Sequence, residues 1–207
     1  MNLFALDPNP RVAAAYHSDI HVISQIKEGA QILCFALERL GIWTAEFGEL
    51  YAPNDSHVAH PCCVWAAQTA GNFQWAYDLT FYLNVEYVRR SNGGAYPTGK
   101  GKGCDHASAE VADRALAVFQ HHRPVRGGLT SWAQALPEDL KCQIDDDHPN
   151  GWHVVDHPVV LAYRAYYLRD KAALKNRSAT WTTRGCPSWW TTTHNSPEKL
   201  FDPDELW

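Results

Sequence analysis

Residues 10–40 read PRVAAAYHSDIHVISQIKEGAQILCFALERL, and this stretch decides the fold class. Asn9 and Pro10 form a typical helix start, with a capping side chain followed by proline at the first helical position. Gly41 ends the pattern. Because the run exceeds 30 residues, we expect a break near Ser18 and Asp19, with Asp19 capping the second part. Its apolar residues recur every three or four positions, as on one face of an α-helix: Val12, Tyr16, Ile20, Ile23, Ile26, Ala30, Leu33, Leu37 and Leu40.

The remainder of the chain also favours helices. Alternation of apolar and polar residues with a period of two hardly occurs beyond the first six residues, so we predict an all-α fold. A second helical region is predicted from His60-Pro61 to about Arg90, interrupted at Gly71-Asn72 with Asn72 as the cap. Further helices are predicted at His106 to His122, at Ser131 to Ala135 (a short one) and at about His157 to Lys175.

The composition is that of a globular protein. A chain of 207 residues with 45% hydrophobic and 20% charged residues predicts one compact domain over residues 1–207, in which 194–207 form a packed arm or a frayed tail. The glycine-rich residues 91–104 are the expected flexible loop. Six cysteines without CxxC spacing favour free thiols. We see no secretion signal and no membrane span, which predicts a cytoplasmic protein.

Three side chains on the first long helical stretch suggest chemistry. His17, His21 and Glu28 are four and seven residues apart and share one helix face. Two imidazoles and a carboxylate can transfer protons, bind a metal ion or hold the partner of an anion. The alternative is two buried, hydrogen-bonded histidines beside a surface glutamate.

Basic charge is concentrated near the carboxyl end, although the net charge is −5. Residues 160–190 contain six basic residues and one acidic residue, which favours selective phosphate binding over general nucleic-acid coating. The segment interleaves cations with indoles, as stacking on bases beside phosphate contacts requires. A solvated helix face and core tryptophans are the alternatives. The candidate contacts are Lys175, Arg177, Trp181 and Arg184.

Three residues of the second helical region are candidate substrate contacts. His60 directly precedes a helix start, where free backbone amides attract an anion, so a phosphate or carboxylate near His60 and Asn72 is predicted. Trp75 is a candidate for contact with a base. A buried capping histidine and a core tryptophan are the alternatives.

The amino-terminal segment resembles a known family. NLFALDPNPRVAAAYHSDIHVISQIKEGAQIL is similar to the first helix of the pyrimidine-dimer DNA glycosylases of the phage endonuclease V type, which carries a D-x-H pair and a glutamate nine residues after the aspartate. Asp19, His21 and Glu28 keep that spacing, and Asp19 is a candidate substrate contact. The carboxyl end, from Arg177 to Trp181 and on to Trp190, is also similar, while the middle of the chain looks more like a group of uncharacterised phage proteins.

The resemblance implies an all-α enzyme that kinks DNA and flips out a base. It implies that Glu28 is the catalytic carboxylate, that His21 orders the site, and that Lys175 and Arg184 contact phosphates. The nucleophile of that family is the α-amine of a threonine exposed when methionine is removed. In this chain Asn2 follows Met1 and disfavours that removal, so the amine is expected one residue further out.

Three classes of function follow. The first is an enzyme that acts on a flipped base in DNA or on a nucleotide, either by cleaving the glycosidic bond or by transfer chemistry on a modified pyrimidine. The second is a metal-dependent hydrolase that uses His17 and His21. The third is a non-catalytic phage binding protein. We predict the first, with no cofactor and with DNA or a nucleotide as the partner, whereas the sequence does not indicate the oligomeric state.

Overall fold

A computed structural model describes residues 1–42, 51–52, 54–93, 104–143, 157–171, 173–174 and 177–190. Within these ranges the fold is all-α, as predicted. The α-helices are α1 (Pro10–Tyr16), α2 (Asp19–Arg39), α3 (Asp55–Val58), α4 (Pro61–Ala66), α5 (Ala70–Ser91), α6 (Ala107–His122) and α7 (Pro158–Asp170). The described residues also form a 3-10 turn, Glu138–Leu140, and a minimal antiparallel ladder between β1 (Ala173–Leu174) and β2 (Arg177–Ser178).

The predicted break in the first helical stretch is confirmed, with a different cap. The Asn9 side chain accepts a hydrogen bond from the Arg11 amide (2.9 Å) at the start of α1. Ser18 occupies the N-cap position of α2, so Asp19 is the first helical residue and not the cap. Gly41 follows the end of α2 with a φ of +71°, a left-handed conformation that glycine adopts without strain.

The interruption of the second helical region was predicted at Gly71-Asn72, and this is wrong by a few residues. The structure separates α4 from α5 at residues 67–69, and the Thr69 hydroxyl caps α5 by accepting from the Asn72 amide (3.1 Å). Gly71 instead lies inside the first turn, where the chain at Gly128 and Leu129 passes so closely that a Cβ would come within 2.3 Å of backbone atoms. Glycine therefore marks a close packing contact and not a helix end.

The third helix is confirmed, and the next two predictions need correction. Residues 131–135 are not helical, since their backbone is used in tertiary contacts: the Ala133 carbonyl accepts from the Tyr163 hydroxyl (2.6 Å) and the Ala135 carbonyl from Asn2 Nδ2 (2.8 Å). The last helix ends at Asp170 and not at Lys175, because the chain turns there into the ladder of β1 and β2.

The core lies around α2, which packs against α4, α5 and α6, while α1 packs on α5. Gly29 of α2 faces Thr80 of α5 at a distance that leaves no room for a Cβ, which allows the two longest helices to approach closely. Phe73 and Phe119 stack with ring centroids 4.0 Å apart and join α5 to α6. This arrangement fixes the direction in which each face of α2 points.

Parts of three predictions lie outside the described residues. They are the glycine-rich loop, of which residues 94–103 are not described, the tail at 194–207, and Lys175. The single-domain organisation stays a prediction. Within the described ranges, none of the helices combines the length and the apolar character that crossing a membrane requires.

Candidate functional site

The first residues of the chain pass along α2 in the opposite direction and are buried against it. Asn2 lies beside Glu28 near the middle of the helix, whereas Phe4 contacts His21 and His17 nearer its start. Two hydrogen bonds fix the Asn2 side chain. Its Nδ2 donates to the Ala135 carbonyl, and its Oδ1 accepts from the Tyr163 hydroxyl (3.2 Å). The amino-terminal segment therefore forms one wall around Glu28.

Glu28 is held through a single carboxylate oxygen. Oε2 accepts the Asn2 amide (2.7 Å) and Gln25 Nε2 (2.9 Å), and the Met1 α-amine lies 3.7 Å away. Oε1 makes no hydrogen bond to the part of the chain that the structure describes, and 29% of the Glu28 side chain is exposed. The carboxylate is thus fixed in orientation while one oxygen remains free to accept a proton.

His60, from a different element, hydrogen-bonds to the backbone of Met1 and is close enough to Glu28 for the carboxylate to affect its pKa. It caps α4, since its Nδ1 accepts from the Cys62 amide (3.2 Å), which leaves Nε2 as the protonated ring nitrogen. Burial lowers the pKa of His60, and the Met1 amine lowers it further, while Glu28 raises it. His60 and Glu28 were both predicted as site residues, and the structure brings them together around Met1.

His21, a second predicted catalytic residue, lies two turns before Glu28 on α2 and belongs to an aromatic cluster. Its Nδ1 lies 2.7 Å from the Tyr167 hydroxyl and 3.1 Å from Ser18 Oγ, and its ring packs edge-on to Phe4. Burial lowers the pKa of His21 to about 4, with Lys171 adding to the effect. The structure therefore shows a buried, hydrogen-bonded imidazole, and the ordering role of His21 stays a prediction.

His17 is buried more deeply than His21 and packs inside the core. Its Nδ1 lies 2.7 Å from the Ala13 carbonyl, and its ring stacks on Phe4 with a centroid distance of 5.8 Å. Burial lowers the pKa of His17 to about 3. His17 is fully enclosed, and this corrects the prediction of a proton-transferring residue beside Glu28: the alternative, a hydrogen-bonded core histidine, describes it.

The alternative metal site on His17 and His21 does not fit the geometry. Phe4 packs against both rings, and each Nδ1 is committed to a protein partner. Among the residues that are described, no group of three histidine, cysteine or acidic side chains is placed to hold a metal ion.

Asp19 was predicted to contact substrate, and it instead fastens the carboxyl-terminal segment to α2. Its carboxylate accepts from Arg90 Nη1 (3.0 Å), from the Thr180 hydroxyl (2.7 Å), and from the amide (3.0 Å) and hydroxyl (2.9 Å) of Thr182. These contacts use both oxygens, so we assign Asp19 a structural role.

Two of the predicted phosphate-binding and base-stacking residues at the carboxyl end, Arg184 and Trp181, are also buried. Arg184 is only 8% exposed, and its Nε lies 3.1 Å from both oxygens of Glu86, which also pairs with Arg90. The Trp181 indole is buried and donates to the Tyr16 carbonyl (3.0 Å). Burial of both groups corrects the prediction that they reach DNA. Arg177 lies in β2, and its contacts are outside the described part.

Asn72 and Trp75 likewise have internal partners. Asn72 is fully buried and joins α5 to the chain at Thr130, accepting from the Thr130 amide (2.8 Å) and donating to the Trp65 carbonyl (2.9 Å). The Trp75 indole donates to the Pro8 carbonyl (2.8 Å). Trp75 also lines a cavity of about 840 Å³ with Tyr16 and Asp7, which neither Glu28 nor His60 lines.

Sequence reasoning missed the groups that actually surround Glu28. Nothing in the spacing of residues indicated that the Asn2 amide would reach it, since the contact joins the helix to a segment without secondary structure. Gln25 had a signal, because a glutamine one turn before Glu28 lies on the mostly apolar buried face of α2. Comparison with protein-family models, with curated proteins and with solved structures found no match.

Proposed function

We propose that this protein is a DNA-processing enzyme in which Glu28 is the proton acceptor for chemistry at a flipped nucleotide. The observation that carries the proposal is the arrangement of its carboxylate, with Oε2 fixed by N–H groups of Asn2 and Gln25 and Oε1 without a partner in the described chain. A fixed, partly exposed carboxylate between a histidine and a primary amine is suited to general base catalysis.

The neighbouring amine favours glycosidic-bond cleavage as the reaction. The Met1 nitrogen, once it has lost its proton, would attack C1′ of the nucleotide, and the C1′–N bond would break with its electron pair leaving on the base. Glu28 would take the proton released from the nitrogen, and the departing base would take one from water. The distance of 3.7 Å between the Met1 nitrogen and Glu28 Oε2 supports this transfer. The amine of Met1 thus lies at the carboxylate, even though threonine is absent.

Transfer chemistry on a pyrimidine uses the same carboxylate without the amine. Glu28 would then deprotonate an incoming hydroxyl or amine, which would displace a leaving group from an activated substituent of the pyrimidine ring while the base remains attached to the sugar. His60 would act as a positioning residue in either reaction, because its Nδ1 is fixed by the Cys62 amide and its ring also hydrogen-bonds to the backbone of Met1.

The DNA contacts must differ from those predicted, because Arg184 and Trp181 are buried. Two other cations lie on or against α2. Lys27 is exposed on α2 directly before Glu28, and Lys171 stands 5.0 Å from the Tyr166 ring and close enough to His21 to lower its pKa. They are the described residues that we propose as phosphate contacts.

The test combines one substitution with two readouts. Purified protein is incubated with ultraviolet-irradiated DNA and with DNA containing 5-hydroxymethyluracil, and released bases and digested nucleosides are measured by mass spectrometry. Glu28→Gln keeps an acceptor for the Asn2 amide, so the fold should persist while the rate falls by about 10²- to 10⁴-fold. Borohydride in a parallel reaction traps a covalent adduct only if the amine attacks C1′.

Glu38→Gln is the matched control, since Glu38 lies on the same helix and its side chain is outside the site. It should retain full activity. A modified nucleoside without a trapped adduct would identify transfer chemistry. Equal activity of Glu28→Gln and the unsubstituted protein, or no product with any of these DNAs, would contradict the proposal.

A further inference from the structure

Gln25 carries an unused hydrogen-bond acceptor directly behind Glu28. Its side chain is buried, with 1% of the residue exposed, and Nε2 donates to Glu28 Oε2 (2.9 Å). The Oε1 atom of the same amide is buried and has no hydrogen-bond partner in the described structure. Because both atoms belong to one planar amide, Oε1 lies beside the carboxylate.

The orientation of this amide is determined by its neighbour. The oxygens of an ionised carboxylate only accept hydrogen bonds, so the Gln25 atom that faces Glu28 must be the nitrogen. The atom left without a partner is therefore the carbonyl oxygen, and the group that satisfies it must be an N–H or O–H donor.

Packing alone does not explain a glutamine at this position. Its neighbours on the buried face of α2 are His21, Val22, Ile26 and Gly29, and a methionine of similar length would fill the space without a polar atom. A buried carbonyl without a donor costs free energy, because its hydrogen bonds to water are lost on folding and not replaced. Such groups in native proteins point to a ligand, to water or to catalysis.

We infer that Gln25 is a specificity-determining residue whose Oε1 accepts a hydrogen bond from an N–H on the Watson–Crick edge of the flipped base. This inference rests on the proposed function and deepens it. Flipped bases are read through their Watson–Crick edges, and each presents at least one N–H there. The Nε2 atom meanwhile keeps Glu28 in place, so that one amide positions the carboxylate and reads the base.

The test uses two short single strands, one of thymidines and one of N3-methylthymidines, with binding measured by fluorescence anisotropy. Methylation at N3 removes the only N–H of the thymine edge. We expect the unsubstituted protein to bind the thymidine strand about ten-fold more tightly, the ratio that 1.4 kcal/mol of differential binding produces. Gln25→Met should bind both strands equally, at the weaker affinity, and its midpoint of thermal unfolding should be unchanged or higher.

The outcomes separate this inference from the proposed function. If Gln25→Met still discriminates ten-fold, the methyl group acts by steric exclusion and Gln25 does not read the base. If Gln25→Met unfolds at a clearly lower temperature, Gln25 is a structural residue, which also overturns the inference. Equal binding of both strands by the unsubstituted protein contradicts the role of Gln25 alone, whereas failure to bind either strand contradicts the proposed function as well.

Discussion

At the scale of single residues, burial decides what each polar group can do. Glu28 and His60 remain partly accessible, and their environment holds them in defined orientations. His17 and His21 share the helix face of Glu28 in the sequence pattern, yet both are enclosed by aromatic rings. The stripe therefore carries a partly accessible carboxylate at one end and enclosed imidazoles at the other.

The buried histidines make the stability of the protein depend on pH. The pKa of His17 is lowered to about 3 and that of His21 to about 4, while the unfolded chain binds these protons near pH 6.5. Since the unfolded state binds more protons, the stabilisation is fully present above pH 6.5 and is lost as the pH falls toward these values. We expect each histidine to remove about 1.4 kcal/mol from the free energy of unfolding per pH unit in that window.

Urea unfolding at pH values from 7 to 5 measures this dependence. The pKa values of His60 and His106 are lowered in the same direction by burial, so the total slope should be at least that of two histidines. His17→Gln keeps a donor for the Ala13 carbonyl and should reduce the slope by about 1.4 kcal/mol per pH unit. A slope that does not change in this variant would show that His17 is not neutral in the folded protein.

At the scale of elements, capping side chains determine where helices begin, and glycines determine how closely a helix packs against neighbouring segments. The Thr69 hydroxyl caps the amino terminus of α5. Asn72, one turn further on, does not cap the helix, because its side chain binds Thr130. Gly71 lies between them and donates its amide to the Gly127 carbonyl (3.0 Å). The first turn of α5 is thus joined to the extended chain at residues 127–130.

Gly71→Ala tests this junction. The added Cβ would lie 2.3 Å from backbone atoms of Gly128 and Leu129, which cannot move as a flexible side chain would. We expect a loss of about 1–3 kcal/mol in the free energy of unfolding, as for other overpacked positions, measured by urea denaturation. Gly128→Ala is the control, because a Cβ at Gly128 meets no atom within 4 Å, and it should change stability by less than about 0.5 kcal/mol. Equal effects of the two substitutions would contradict the close approach.

At the scale of the whole molecule, buried ion pairs attach the carboxyl-terminal segment to the helices. Glu86 of α5 pairs with Arg184 and Arg90, and Arg90 pairs in turn with Asp19 at the start of α2. This chain of charges joins three parts of the sequence that are far apart. Because Arg90 and Arg184 are buried in these pairs, they are not on the surface for a partner to contact.

Arg184→Met measures the contribution of this network. The substitution would leave Glu86 buried with one cationic partner removed, and we expect it to lower the free energy of unfolding by about 3–5 kcal/mol. Arg114→Met removes a comparable pair with Glu110 at the surface and should cost less than about 1 kcal/mol. If the two variants were equally stable in urea, the Arg184 pair would not be the structural contact described above.

The sequence by itself determined the all-α class, the start of α1, the break before α2 and the extent of α6, because helical periodicity and caps are local properties. It also singled out Glu28 and His60. The tertiary structure alone decided that Arg184 faces a glutamate 98 residues away and that the Asn2 amide binds Glu28. A pattern records which residue types share a face, whereas burial and pairing depend on which distant segment covers that face.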